Sequence, residues 1–205
     1  MYNPNMNDLS VIKQHLLSHF IYLLKDTGIT RLHDEEKLAN ALQIHYLSPG
    51  QRIEQPAPQL FILIHGLLKE YDRSSRKREP CSLVQLLMPD TIWLYNQSAY
   101  HFRTRALMPS WLLSLEPSYL HYILNHPQKL KLWLEEHELC YRSKHYLSEF
   151  LKTHSNSEDR IHLFLEEYGP YVDFLSDNEI SLYAGINSKA VQKLREIAFL
   201  YQRFD

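Results

Sequence analysis

Asp177-Asn-Glu-Ile-Ser-Leu-Tyr-Ala-Gly-Ile-Asn-Ser-Lys-Ala-Val-Gln-Lys-Leu-Arg195 is the stretch on which the reading of this chain turns. Ile180 and Ala184 stand four residues apart and put apolar groups on one face of a first helix. Gly185 follows where the chain must turn sharply, and glycine accepts a positive φ there. Ile186 plugs the corner. Asn187 or Ser188 offers a side-chain oxygen to cap a second helix. Val191 and Leu194 return to the core, and Ser181 is small enough to let the helices cross closely. This is the spacing of a helix-turn-helix, whose second helix enters the DNA major groove. It is also the spacing of an αα-corner in any helical domain, so the rest of the chain has to arbitrate.

Working back from that stretch, Gly169-Pro170 ends a helix over residues 159–167, and Ser155-Asn-Ser157 reads as a polar hinge. Pro127 opens a long helix that runs to about His154, with proline at the first turn where its missing N–H does no harm. Leu130, Trp133, His137, Cys140, Lys144, Leu147 and Leu151 recur along it at spacings of three and four. A seam this long suggests a helix–helix interface in a symmetric dimer; packing against its own domain is the other reading. Residues 117–124 form a short helix before it.

Upstream the texture is extended. Gln43–Leu47 is strand-like and runs into a Ser48-Pro-Gly-Gln51 turn. Residues 60–64 and 67–71 read as two strands broken at His65-Gly66. Residues 72–80 form a polar, basic loop. Residues 82–87, 92–95, 100–107 and 112–115 are further short strands, with a turn at Pro89-Asp90. Many short strands separated by turns predict a small barrel or β-roll. Two helices precede them, over residues 8–25 (apolar face Val11, Ile12, Leu16, Leu17, Phe20, Leu24) and 34–42.

Composition narrows the classes. The chain has 205 residues, five glycines, ten prolines and 44% hydrophobic residues, the profile of one large or two small globular domains. No run of about 18 apolar residues exists, and the first residues lack a basic segment followed by an apolar one, so neither a membrane span nor a secretory signal is expected. The two cysteines, Cys81 and Cys140, are far apart, which gives no support to a disulfide framework or an iron–sulfur site. The expected location is cytoplasmic. Net charge is −2. Residues 156–205 carry five Lys and Arg against nine Asp and Glu, whereas residues 187–204 have Lys189, Lys193, Arg195 and Arg203 against Glu196 alone. A locally basic helix on an acidic domain meets phosphate with a shallow salt dependence.

The order of β-roll, long helix, short helix and helix-turn-helix resembles the Crp/Fnr family of transcription regulators. The residues that carry the resemblance are Leu47-Ser-Pro-Gly-Gln51, Leu60-Phe-Ile-Leu-Ile-His-Gly-Leu-Leu-Lys-Glu-Tyr71, Ala106-Leu107 before a last strand, and Asp177 to Arg195. It covers about residues 30–204. It implies an α+β fold with a cyclic-nucleotide-binding-like sensor (residues 1–126), a long dimerisation helix (127–155) and a helix-turn-helix DNA-binding domain (156–205). The implied partners are double-stranded DNA, a second copy of the chain, RNA polymerase and an unknown effector, with no membrane. The dimerisation residues expected are Leu130, Trp133, His137, Cys140, Leu147 and Leu151. The DNA-facing residues expected are Asn187, Ser188, Lys189, Gln192, Lys193 and Arg195. The three usual base-reading positions correspond to Ser188, Lys189 and Lys193, so the arginine–guanine fork is missing and specificity should differ. Arg195 and Arg203 are expected on phosphates. Only residues 171–174 remain for the β-hairpin wing that family members often carry, so it should be short or absent.

A family member that binds cyclic AMP has a Gly-Glu pair and an Arg-Ser or Arg-Thr pair around the phosphate. Residues 89–102 contain no glycine and no Gly-Glu, and the Arg-Ser position falls near Tyr100-His101. Arg103 and Arg105 share a strand face with His101 and are expected to face solvent. Cyclic-nucleotide binding is therefore not expected, nor is any cofactor: haem would need an axial ligand that nothing specifies. His15 with His19, and His121 with His126, lack a third metal ligand at suitable spacing and read as solvent-facing. The abundant tyrosines, such as Tyr71, Tyr95 and Tyr100, fit aromatic core packing better than a ligand cavity. No nucleophile elbow, Walker loop, dinucleotide fingerprint or zinc-protease motif is present, so enzymatic activity has no support. The competing reading is an interaction protein that keeps the fold without sequence-specific DNA binding.

Overall fold

Among the described residues, seven short strands make two antiparallel sheets. β1 (Gln43–Leu47), β2 (Gln59–His65), β5 (Ile92–Tyr95) and β7 (Ser110–Leu115) pair in the order β1-β7-β2-β5, and β3 (Leu68–Asp72), β4 (Leu83–Leu87) and β6 (Phe102–Ala106) in the order β4-β3-β6. The computed structural model describes residues 14–23, 39–53, 59–72, 83–95, 102–119, 127–154 and 156–201.

The apolar run in β2 is a strand covered on both faces. Leu60 and Ile62 pack with Leu16 and Phe20 of α1 (helical over residues 14–23) and with Trp133. Phe61 and Leu63 point the other way, into the roll, beside Trp93, Leu112 and Tyr141. A period of two with both faces buried produces a continuous hydrophobic sequence rather than an alternating one. The expected break at His65-Gly66 is a tight passage: Gly66 has φ 110°, and a Cβ there would stand 2.6 Å from the Ser110 Cα.

Short helical segments over residues 39–41 (α2) and 117–119 (α3) flank the strands. The helical part then runs α4 (Pro127–Thr153), α5 (Ser157–Tyr168), a 3₁₀ helix (Gly169–Phe174), α6 (Asp177–Ala184) and α7 (Ser188–Tyr201). Tyr171 to Phe174, the stretch left for a wing, lies in the 3₁₀ helix. Among the described residues no helix is long and apolar enough to cross a membrane.

One apolar cluster runs through both halves of the molecule. Leu67, Leu83 and Leu86 of the roll are in it with Phe164, Tyr168, Ile180, Tyr183, Val191 and Leu194 of the helical part. The seam expected for dimerisation faces inward instead. Trp133 is buried against α1 and the first sheet, and His137 sets its ring edge-on to that indole at 4.6 Å. Leu151 is buried in the helical cluster, with Leu147 packed against it. Lys144 reaches Glu167 at 3.2 Å. Cys140 is exposed, and the Leu130 side chain lies outside the described residues. The physical reason is that α4 carries two apolar stripes. The one at spacings of three and four is covered by the chain itself except at Cys140. The other, Leu132, Leu139, Tyr146 and Phe150, is exposed by 51–70%.

Candidate nucleic-acid interface

Local chemistry sets both helices of the Asp177–Arg195 stretch. Ser176 caps α6: its Oγ accepts from the Glu179 N–H, and its own N–H donates to the Glu179 carboxylate at 3.0 Å. This capping box satisfies two otherwise orphaned donors. Gly185 ends α6 in the left-handed conformation, φ 65° and ψ 35°. Ser181 donates its hydroxyl to the Ile186 carbonyl, which fixes the corner. Of the two candidate caps for α7, Asn187 fills the role, its Oδ1 accepting from the Ala190 N–H at 3.0 Å. Ile180, Ala184, Ile186, Val191 and Leu194 are all buried, as their spacing predicts.

The pair of helices is anchored from behind. Ser148 of α4 donates to the Tyr183 carbonyl at 2.8 Å, and the Tyr168 and Tyr183 hydroxyls meet at 3.1 Å. Burial pushes the Tyr168 phenol up to about 12 and Tyr183 further up. Both therefore hold their protons, and with them this hydrogen bond, at any ordinary pH.

Asn187, Ser188, Lys189, Gln192 and Lys193 form an exposed face on the first turns of α7. Lys189 has no ion pair among the described residues. Lys193 reaches Glu158 at the start of α5 at 2.5 Å, and its hydrogen bond holds that exposed carboxyl below the usual carboxylate range. Arg195 points elsewhere. Its Nε donates to Asp177 at 2.7 Å, and its two terminal nitrogens donate to the Leu175 carbonyl at 2.7 Å and the Val172 carbonyl at 3.1 Å. All three bonds are internal, so Arg195 straps α7 to the 3₁₀ helix and the start of α6. Arg203 lies outside the described residues.

Two polar links connect the roll to this region. Lys69 of β3 pairs with Glu179, the capping residue of α6. Burial alone would push the Glu179 carboxyl up, but the bonds from Lys69 and Ser176 outweigh it and hold it below the carboxylate range. Glu70, next to Lys69 and on the opposite face, is buried and accepts from Tyr141 of α4 at 2.8 Å, Gln85 at 2.7 Å and Thr104 at 3.2 Å. Strand β3 thus grips the long helix from one face and the helix-turn-helix from the other. The capping box was legible as Ser176-x-x-Glu179. Neither long-range partner leaves a sequence signal.

The sensor-like half departs from its expected reading at one point. Arg103 is exposed, as alternation predicts, but Arg105 on the same face is half-buried with its Nε enclosed. The cause is a facing wall that a strand pattern cannot show: Arg52 bridges to Arg105 from the β1–β2 connection, and α6 closes over it. Tyr100 and His101 lie outside the described residues. A cavity of about 660 Å³ opens between β1 and the roll interior, lined by His45, Tyr46, Phe61 and Leu112 among others. His45 is within 2.6 Å of the Ser114 hydroxyl, and burial lowers its pKa, which favours the neutral ring. His15 is exposed, while His19 bonds Asp90 at 2.6 Å. His121 and His126 lie outside the described residues. Among the described residues no three His, Cys, Asp or Glu side chains gather as a metal site.

No protein-family model and no curated protein sequence matches this chain. Solved structures do. FixK2 from Bradyrhizobium japonicum superposes with a TM-score of 0.61 at 13% identity, over 78% of this chain and 86% of that one. A cyclic-nucleotide-binding-domain protein from Listeria monocytogenes gives 0.58 at 13% identity, over 84% and 87%. A structure described as a transcriptional regulator of the crp/fnr family, from Eubacterium rectale, gives 0.55 at 12% identity, over 85% and 86%. The likeness is one of architecture, over 78–85% of the chain: it has the fold of the Crp/Fnr regulators, a β-roll joined by a long helix to a helix-turn-helix.

Proposed function

We propose that this protein is a homodimeric, DNA-binding transcription regulator of the Crp/Fnr type that does not respond to cyclic nucleotides. One observation carries the reading. A fully built helix-turn-helix presents Ser188, Lys189, Gln192 and Lys193 on an open face of its second helix, while Ile180, Tyr183, Ala184, Ile186, Val191 and Leu194 of that helix pair are covered from behind. In the major groove Lys189 and Lys193 supply point charges to phosphates and guanine edges, and Ser188 and Gln192 supply hydrogen bonds to bases. Asn187 stays on as the helix cap, and Arg195 acts as the strap beneath the reading face rather than as a DNA contact. Lys193 must leave Glu158 to reach DNA. That exchange is inexpensive, because the pair is exposed on both sides.

The second copy docks on α4. Leu132, Leu139 and Tyr146 repeat every seven residues, and Phe150 extends the line by one turn. A heptad seam of this length is self-complementary about a two-fold axis. The two recognition helices are then held for successive half-sites. The missing Gly-Glu pair between Pro89 and Phe102 supports the absence of a cyclic-nucleotide response.

Selection from a random double-stranded DNA library tests the function. The wild-type protein should enrich an inverted-repeat sequence, and Lys189→Ala with Lys193→Ala should weaken binding to it at least about tenfold at low salt. Enrichment of no sequence would favour the interaction-protein reading. Leu139→Glu with Tyr146→Glu should halve the mass in light scattering while leaving the melting temperature of the monomeric fold nearly unchanged. A dimer that persists would place the interface elsewhere.

A further inference from the structure

The second sheet carries a row of three cations with one acid on it. Lys69 on β3 stands directly opposite Arg105 on β6, and Arg105 is bridged in turn to Arg52. All three line one cleft of about 400 Å³ between the roll and the start of α6. Like charges directly across a sheet repel. Glu179 neutralises Lys69. Arg52 and Arg105 have no ion pair among the described residues.

Two more polar atoms are stranded in the same place. Tyr71, two residues along β3 from Lys69 and on the same face, lines the cleft and is only 7% exposed, yet its hydroxyl has no hydrogen-bond partner among the described residues. The Arg105 Nε is buried and likewise has no partner among the described residues. Buried donors of this kind are normally satisfied, because leaving one unpaired forfeits its hydration with nothing in return. The Tyr71 hydroxyl and the Arg105 and Arg52 guanidiniums, without an acidic partner among the described residues, surround one cavity of small-molecule size and describe a receptor for an anion.

We propose that this cleft binds a small organic anion. Its phosphate or carboxylate group sits between the Arg52 and Arg105 guanidiniums, and the Tyr71 hydroxyl donates to it or to a neutral acceptor on the same molecule. Asn178 of α6 forms part of the far wall, so an occupant touches the roll and the helix-turn-helix together and adds to the Lys69–Glu179 link between them. Its effect on DNA depends on the function proposed above. Its binding does not, and the test is made without DNA.

Full-length protein is titrated by calorimetry with inorganic phosphate, glycerol 3-phosphate and succinate in turn, at constant ionic strength in chloride buffer. Saturable binding by the phosphates but not succinate, or the reverse, identifies the anionic group. Arg52→Gln, at an exposed position, should weaken that binding about tenfold or more, and Arg105→Gln at least as much. Tyr71→Phe should weaken it several-fold while the ligand-free melting temperature stays level or rises, because the stranded hydroxyl is gone. Two results overturn the proposal: no saturable binding by any of the three probes at about 10 mM, or binding that survives unchanged in both Arg52→Gln and Tyr71→Phe.

Discussion

Arg195→Met separates two roles that a basic residue on a recognition helix can have. Methionine keeps the length and apolar stem of the side chain and deletes the guanidinium. Three bonds go with it: those to the Asp177 carboxylate and to the Leu175 and Val172 carbonyls. A buried charge-assisted bond contributes roughly 1.5–3 kcal/mol. The Arg195 side chain is 31% exposed and that of Asp177 66% exposed, so solvent screening reduces each contribution. About 2–3 kcal/mol in total remains, most of it from the two carbonyls that lose their donors. In a chain of this size that lowers the melting temperature by about 4–12 °C. Thermal unfolding followed by far-ultraviolet circular dichroism, at fixed protein concentration, measures it. Arg195→Lys offers one point donor in place of a fork and should recover less than half of the loss. If Arg195→Met melts within about 1 °C of the parent but loses DNA affinity, Arg195 is a phosphate contact and the strap argument fails.

Gly66→Ala puts a Cβ at a φ of 110°, which non-glycine residues rarely adopt, and within 2.6 Å of the Ser110 Cα, a backbone atom with little freedom to move. Strain and displacement together should cost about 3 kcal/mol or more, read as a fall in melting temperature; a variant as stable as the parent would mean that the passage between β2 and β3 relaxes freely. Alkali should act through the Tyr168–Tyr183 pair. An unfolded tyrosine ionises near pH 10, whereas Tyr168 is raised to about 12 and Tyr183 higher. The contribution is complete below pH 10 and is lost as pH climbs through 10 to 12, because only the unfolded chain releases those protons there. Melting temperatures should drop steeply over that window, and an equally steep drop in the Tyr168→Phe, Tyr183→Phe double variant would assign the effect to other groups.

Much of the architecture is written in local pattern. The ends of β1 and β5 coincide with their expected limits, and α4 begins at Pro127 and stops one residue short of His154. Alternation, proline placement and a glycine at a turn are short-range constraints, so they survive in the chain without knowledge of what packs on them. The Asp177–Arg195 stretch belongs to the same class: its caps and its left-handed glycine follow from neighbours fewer than five positions away.

What covers each surface is a different matter. Spacing marks Trp133 and Leu151 as one apolar stripe of α4 and leaves Leu132, Leu139 and Tyr146 as another, but only the fold places α1 and the first sheet against the former and leaves the latter bare. Arg195 and Lys193 are the same charge on the same helix. One is bound to two carbonyls because the 3₁₀ helix turns beneath it, and the other pairs with an exposed acid it can exchange. Arg105 reads as a solvent-facing strand residue until Arg52 and α6 arrive from positions about fifty and seventy residues away. The sequence alone determined the elements, their order and the helix-turn-helix, because those depend on contacts within a few residues. Tertiary structure decided which basic residues read outward, which bind inward and which face of the long helix is open, because burial is a property of the partner surface and not of the segment that carries it.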